Sequence, residues 1–166
     1  SLTTDSDVDA DGWYAGGSFL VLPNVFVFGS YSDTSSEDFT GPLGAVTFNI
    51  DATSYNAGLG LRAPVTDFMD INVGAAWVHA ESDTNASTGG SSSTSDDGYS
   101  VSAGVRSLLG KCLELNAGYN YVDLDDSQGS FDVGGLVHIT SLISVSAAYR
   151  FGEDANAWTA GARLNF

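Results

Sequence analysis

Apolar side chains recur at every second position over most of this chain, and the positions between them are small or polar. The last ten residues carry the pattern most plainly. Trp158, Ala160, Ala162, Leu164 and Phe166 share one face of an extended strand, and Thr159, Gly161, Arg163 and Asn165 share the other. Such a period predicts strands with lipid against the apolar face and a packed polar interior against the other. Trp13, Ala15, Gly17, Phe19 and Val21 lead to a tight turn at Pro23-Asn24. Val25, Val27, Gly29 and Tyr31 then take the outward face, although Phe26 and Phe28 compete for it. A membrane strand at 52–63 follows, and later strands begin at Met69, Tyr99, Leu113, Phe131 and Ile143. With the closing strand the count is nine.

Three stretches break the alternation. Residues 1–12 are polar and acidic and read as a loop. Val46, Phe48 and Ile50 are out of phase with Tyr55, Ala57, Leu59 and Leu61, and a one-residue slip turns the wrong face outward. A long outer loop is therefore expected at 33–51, with its own ribbon extension above the membrane. Residues 82–98, SDTNASTGGSSSTSDDG, have neither period nor large side chains, which predicts a second, mobile outer loop. The expected fold is all-β: one antiparallel up-and-down transmembrane β-barrel of about eight to ten strands, spanning residues 1–166 as a single domain. A soluble barrel would need a dense aliphatic core where this chain places Gly, Ser, Asn and Arg.

Composition agrees with strands. The chain has 20 glycines and no apolar run as long as a membrane-spanning helix, which excludes helical membrane proteins but not barrels. No signal peptide is present, so the sequence reads as a mature chain or a fragment whose exported precursor carries one upstream. The net charge of −16 is lopsided: all acids except Asp67, Asp70 and Glu114 fall at the long-loop end. An acidic rim repels polyanions, so nucleic-acid binding is not expected. Loosely held divalent cations are compatible with it, the candidate ligands being Asp7, Asp9, Asp11, Asp123, Asp125 and Asp126. Asp7 to Gly12 matches the opening of a calcium loop, but Ser18 stands where the bidentate Glu belongs, so neither a dedicated metal site nor a cofactor is expected. Cys112, the single cysteine, excludes an internal disulfide.

Arg62, Arg106 and Arg163 share the inward phase near the short-turn end, as does Glu114. Buried guanidinium groups need carboxylate partners, so these four are expected to form a lumenal network that plugs the inner mouth. Trp13, Tyr31, Tyr55, Trp77, Tyr99, Tyr121, Phe151 and Trp158 gather near the outer ends of strands, and Phe68 and Phe166 near the inner ends, as interfacial girdles. His79 falls in the lipid-facing phase. His138 points inward, but the nearest carboxylate in phase on its own strand, Asp132, lies roughly 20 Å away at about 3.4 Å per residue. No catalytic centre is therefore expected.

The stretches DGWYAGGSFLVLPNVFVFGSY and DGYSVSAGVR and the terminal RLNF resemble a family of small porin-like outer-membrane β-barrel proteins of Gram-negative bacteria. The resemblance implies a bacterial outer-membrane location with long loops extracellular and short turns periplasmic. It also implies contact with outer-membrane lipid and lipopolysaccharide, and an aromatic C-terminus, here Phe166, that the barrel insertion machinery reads. In such proteins a further strand precedes the DADGW loop. An unpaired edge in lipid is costly, so closure is expected through nine strands alone, through a tenth strand outside this sequence, or through a strand donated by a neighbour in a homo-oligomer or array. The expected role is non-enzymatic, structural or surface-interacting. A narrow passive pore and a self-assembling subunit are the alternatives.

Overall fold

The computed structural model describes residues 10–36, 39–40, 47–110, 112–152 and 156–164. Every described element is a strand: β1 (Ala10–Leu22), β2 (Val25–Ser36), β3 (Phe39–Thr40), β4 (Thr47–Thr66), β5 (Met69–Ala86), β6 (Ser91–Leu109), β7 (Leu113–Asp123), β8 (Ser127–His138), β9 (Ile143–Gly152) and β10 (Asn156–Leu164). The nine long strands form one antiparallel sheet in chain order, curled into a half-barrel, and the two-residue β3 pairs with the top of β4.

The sheet is strongly sheared. A hydrogen-bonding row that starts at the inner end of β2 passes through Val25, Leu61, Val73, Ala103, Tyr119, Phe131, Phe151 and Asn156 and emerges at the outer end of β10. Strands inclined in this way, at roughly 35–45° to the axis, are what barrel curvature requires. Alternation assigns the faces as the sequence implies. Ile71, Val73 and Trp77 are exposed on the convex side, while Asp70, Ala76 and Val78 are buried on the concave side. The phase of β2 is resolved by glycine: the Phe26 ring lies over Gly60 on the concave face, and that of Phe28 reaches Gly74. Neither position could hold a larger side chain without moving a ring.

Within 33–51 the described residues form the ribbon extension expected there, β2 running to Ser36 and β4 beginning at Thr47, whereas 82–98 differ from expectation: β5 and β6 continue as strands to a turn at residues 87–90. No bulge separates Ile50 from Tyr55, because the β4–β5 register is continuous from Phe48 to Pro64. Above the lipid neither face needs to be apolar, so the reversal of phase costs nothing there.

β1 pairs with β2 and β10 with β9, and among the described residues no pairing joins β1 to β10. An odd number of antiparallel strands leaves those two edges running in the same direction. A direct seam between them would be parallel.

Candidate functional site

Three tiers of side chains organise the molecule from the short-turn rim upward. The lowest is a chain of polar contacts crossing six consecutive strands of the sheet. Arg62 on β4 and Arg106 on β6 both donate to Asp70 Oδ2 on β5, from Nη2 at 2.8 and 2.6 Å, and Arg106 Nε adds a second bond at 3.2 Å. Arg106 Nη1 then stands 3.8 Å from Glu114 Oε2 on β7, and the same oxygen is 3.9 Å from His138 Nε2 on β8. His138 Nδ1 is hydrogen-bonded to Ser144 Oγ on β9 at 2.8 Å. The carboxylates and the serine are the buried members: Asp70 and Glu114 are 8% exposed and Ser144 0%. One carboxylate held by two guanidinium groups makes several charge-assisted bonds at once, which offsets its loss of water.

The structure thus brings together Arg62, Arg106 and Glu114, and it corrects the expected membership twice. Arg163 lies opposite Ser144 in the β9–β10 register but joins no ion pair among the described residues, because β10 is an edge strand with a neighbour on one side only. The acid that joins the arginines is Asp70. Its signal was legible, since it shares their phase and level. Glu114 approaches His138 from the adjacent strand, not across the barrel.

Glu114, His138 and Ser144 follow the acid–base–nucleophile order of a hydrolytic triad. The geometry does not serve that chemistry. At 3.9 Å the carboxylate is beyond hydrogen-bonding distance of the imidazole, and Ser144 Oγ, with no accessible surface, offers a carbonyl no approach. What the arrangement can do is lock adjacent strands in register.

The second tier is aromatic. Trp13 packs against Tyr31 at a ring separation of 5.0 Å, Tyr55 against Trp77 at 5.5 Å, and Tyr149 against Phe151 at 4.6 Å. Tyr99 and Trp158 stand exposed on the convex face, and Tyr121 is half-buried. Phe68 is exposed near the opposite rim, and Phe166 falls outside the described residues.

Above the aromatic tier the strands part company. β7 ends at Asp123, directly opposite Tyr99, whereas β4, β5 and β6 continue past Tyr55, Trp77 and Tyr99 by eight or nine residues each. They form a blade roughly 20–30 Å tall at about 3.3 Å per residue and barrel-like tilt. On its convex face His79 packs 4.8 Å from the Tyr55 ring, with Nδ1 2.9 Å from Asp97 and Nε2 3.3 Å from Glu81. The Asp97 hydrogen bond first and the Glu81 bond second raise the imidazole pKa above its ordinary value. His79 is therefore a clasp between β5 and β6 whose charged form the two acids favour. Sequence phase placed it on this face beside Glu81, two residues on, but gave no sign of Asp97, which the strand register supplies.

Among the described residues the acids proposed as cation ligands do not converge. Asp7 and Asp9 fall outside the described residues, Asp11 lies on the exposed β1, and Asp125 and Asp126 are exposed in the β7–β8 turn. Among the described residues no group of three or more His, Cys, Asp or Glu side chains is placed to hold a metal ion.

Residues 2–151 match the family described as outer membrane protein beta-barrel domain. Among solved structures, the NanC porin in a rhombohedral crystal form is similar at a TM-score of 0.55 and 9% identity, over 96% of this chain and 98% of that one. Ail, the attachment invasion locus protein of Yersinia pestis, gives 0.49 at 19% identity, over 87% and 90%. The Pseudomonas putida toluene transporter TodX gives 0.47 at 12%, over 92% and 59%. No curated protein sequence matches the chain. At such identities what is shared with the NanC porin is the fold.

Proposed function

The chain belongs to the outer membrane protein β-barrel domain family and is a bacterial outer-membrane protein, and from that premise we propose that it is a non-enzymatic surface protein whose working part is the β4–β6 blade. The observation that carries this reading is the difference in strand length. A tilted strand needs about 9–11 residues to cross the bilayer. β8, β9 and β10, with 12, 10 and 9 residues, are close to that length, whereas β4, β5 and β6 have 20, 18 and 19. The excess serves nothing inside the membrane. It holds up a sheet of Ser, Thr and Asp, braced by the His79 clasp on strands whose inner ends are tied by the Asp70 network. The blade is read as extracellular and the short turns as periplasmic.

Cysteine labelling in intact cells tests this. Ser93 lies near the blade tip, and the native Cys112, exposed at the opposite rim, is an internal control. A membrane-impermeant maleimide is expected to label a Ser93→Cys variant and to spare Cys112. The reverse pattern would overturn the reading.

A passive pore is the second reading, suggested by the fold shared with the NanC porin. Planar-bilayer recording separates the two, since steady single-channel conductance from the refolded chain would make the interior, not the blade, the working part.

A further inference from the structure

The concave face of the blade carries a recess of about 260 Å³ that no tier described above uses. Strand register composes it from two rows. The lower row is Ser32, Ser54, Ala80 and Asp96, and the upper row is Thr34, Ala52, Ser82 and Thr94, contributed in both cases by β2, β4, β5 and β6 in order. Thr53 and Glu81 complete the lining, which thus has six hydroxyl residues and two acids around two alanines, whose methyl groups leave the space open. Below lies the row Ser30, Asn56 and Val78, in which Asn56 Nδ2 donates to Ser30 Oγ at 2.6 Å and Val78 is buried.

Resting on the reading of the blade as an extracellular surface, we propose that this recess binds a single neutral sugar ring, a saccharide carrying no negative charge. The chemistry of the lining supports this in three ways. Each Ser or Thr hydroxyl both donates and accepts, as does each hydroxyl of a sugar, so the match does not depend on one orientation. Ser32 Oγ and Ser54 Oγ, 2.8 Å apart, can exchange donor and acceptor roles and so re-aim toward a ligand. Neighbouring strands set hydroxyls about 4.8 Å apart, within the span of one pyranose ring.

Charge then sets the selectivity. Asp96 makes no hydrogen bond or ion pair among the described residues, so its oxygens are available as acceptors. Among the described residues the arginines, Arg62, Arg106, Arg150 and Arg163, all lie off the blade. An anionic sugar would meet Asp96 and Glu81 with no Lys or Arg among the described residues of the blade, and His79 already engaged by Asp97 and Glu81, whereas a neutral or amino sugar meets only acceptors and hydroxyls. At 260 Å³ the recess falls below the roughly 300–1,000 Å³ of typical small-molecule clefts, which suits one ring and not a buried oligosaccharide.

The test uses the full chain refolded in detergent and three probes of one ring size: methyl β-glucoside, glucosamine and glucuronate. Binding is followed by saturation-transfer NMR and titration. The glucoside and glucosamine are expected to bind, and glucuronate at least about tenfold more weakly. The Ser54→Ala/Thr94→Val double variant removes two hydroxyls and should weaken glucoside binding roughly tenfold or more. Asp96→Lys should reverse the preference between glucosamine and glucuronate. Far-ultraviolet dichroism and heat-modified gel mobility, unchanged in both variants, show that the sheet is intact. Equal binding of all three probes, no binding of the glucoside, or affinity indifferent to both variants would each overturn the proposal. The maleimide result is independent of these outcomes. A Ser93→Cys label from outside with no sugar binding refutes the recess alone, whereas labelling from the periplasmic side refutes the reading on which it rests.

Discussion

At the short-turn rim opposite charges meet across strands, and on the blade, outside the His79 clasp, like charges do. Asp70 sits between two arginines at 2.6 and 2.8 Å, while Asp51 and Asp83 face each other directly in the β4–β5 register with no Lys or Arg on either strand above the aromatic tier. Both places are the same antiparallel sheet with the same alternation. They differ in their access to water. A carboxylate that is 8% exposed must find its partners within the protein, so the lower tier is a connected network. A carboxylate on the blade keeps its hydration and needs no partner. The inner rim is therefore built for rigidity and the outer sheet for contact with something else.

The comparison breaks most visibly at Asp70. Asp70→Asn leaves two guanidinium groups without their shared carboxylate and should cost about 2–4 kcal/mol, less than a fully buried pair because the arginines are about one-third exposed. Urea unfolding in lipid vesicles measures it. A loss below about 0.5 kcal/mol, the scale of an ordinary surface pair, would show that the rim does not depend on this acid.

The His79 clasp gives an intermediate effect with a defined sign. Its pKa is raised in the folded protein, so its contribution to blade stability is complete below the ordinary value of 6.5 and fades as the pH climbs through the elevated one. Protease cleavage in the turn at residues 87–90 should accelerate as the pH rises above about 6.5 in the native chain. In His79→Gln it should be insensitive to pH over that range. Parallel profiles for the two proteins would remove the clasp from the account.

The smallest effect has the opposite sign. Asp83→Asn relieves the like-charge pair with Asp51 and should stabilise the blade by about 0.2–0.5 kcal/mol at low salt, a gain that vanishes near about 1 M salt. Hydrogen-exchange protection of the Thr84 amide in both salt conditions measures it. A destabilised variant would mean that Asp83 has a bonding role in the blade.

Alternation alone placed Ile71, Val73 and Trp77 on one face and Asp70 on the other. A period of two is a purely local property, and lipid outside makes it strict wherever a strand crosses the membrane. The same rule misled above the membrane. Ile50 lies out of phase with Tyr55, and residues 82–98 carry no period at all, yet both stretches are strand. Their pairing is held by backbone hydrogen bonds that leave no trace in side-chain pattern.

Membership of the polar network divides in the same way. The sequence placed Arg62, Arg106, Glu114 and Arg163 on the inward phase at one level. Which of them meet was decided by register and by neighbours. Asp70 is held between β4 and β6, while Arg163 stands on a strand with one neighbour. The recess is wholly a product of the tertiary structure, because Ser32, Ser54, Ala80 and Asp96 come from four separate strands. Local chemistry specified which face each side chain would occupy. Only the shear of the assembled sheet determined which side chains would stand beside one another.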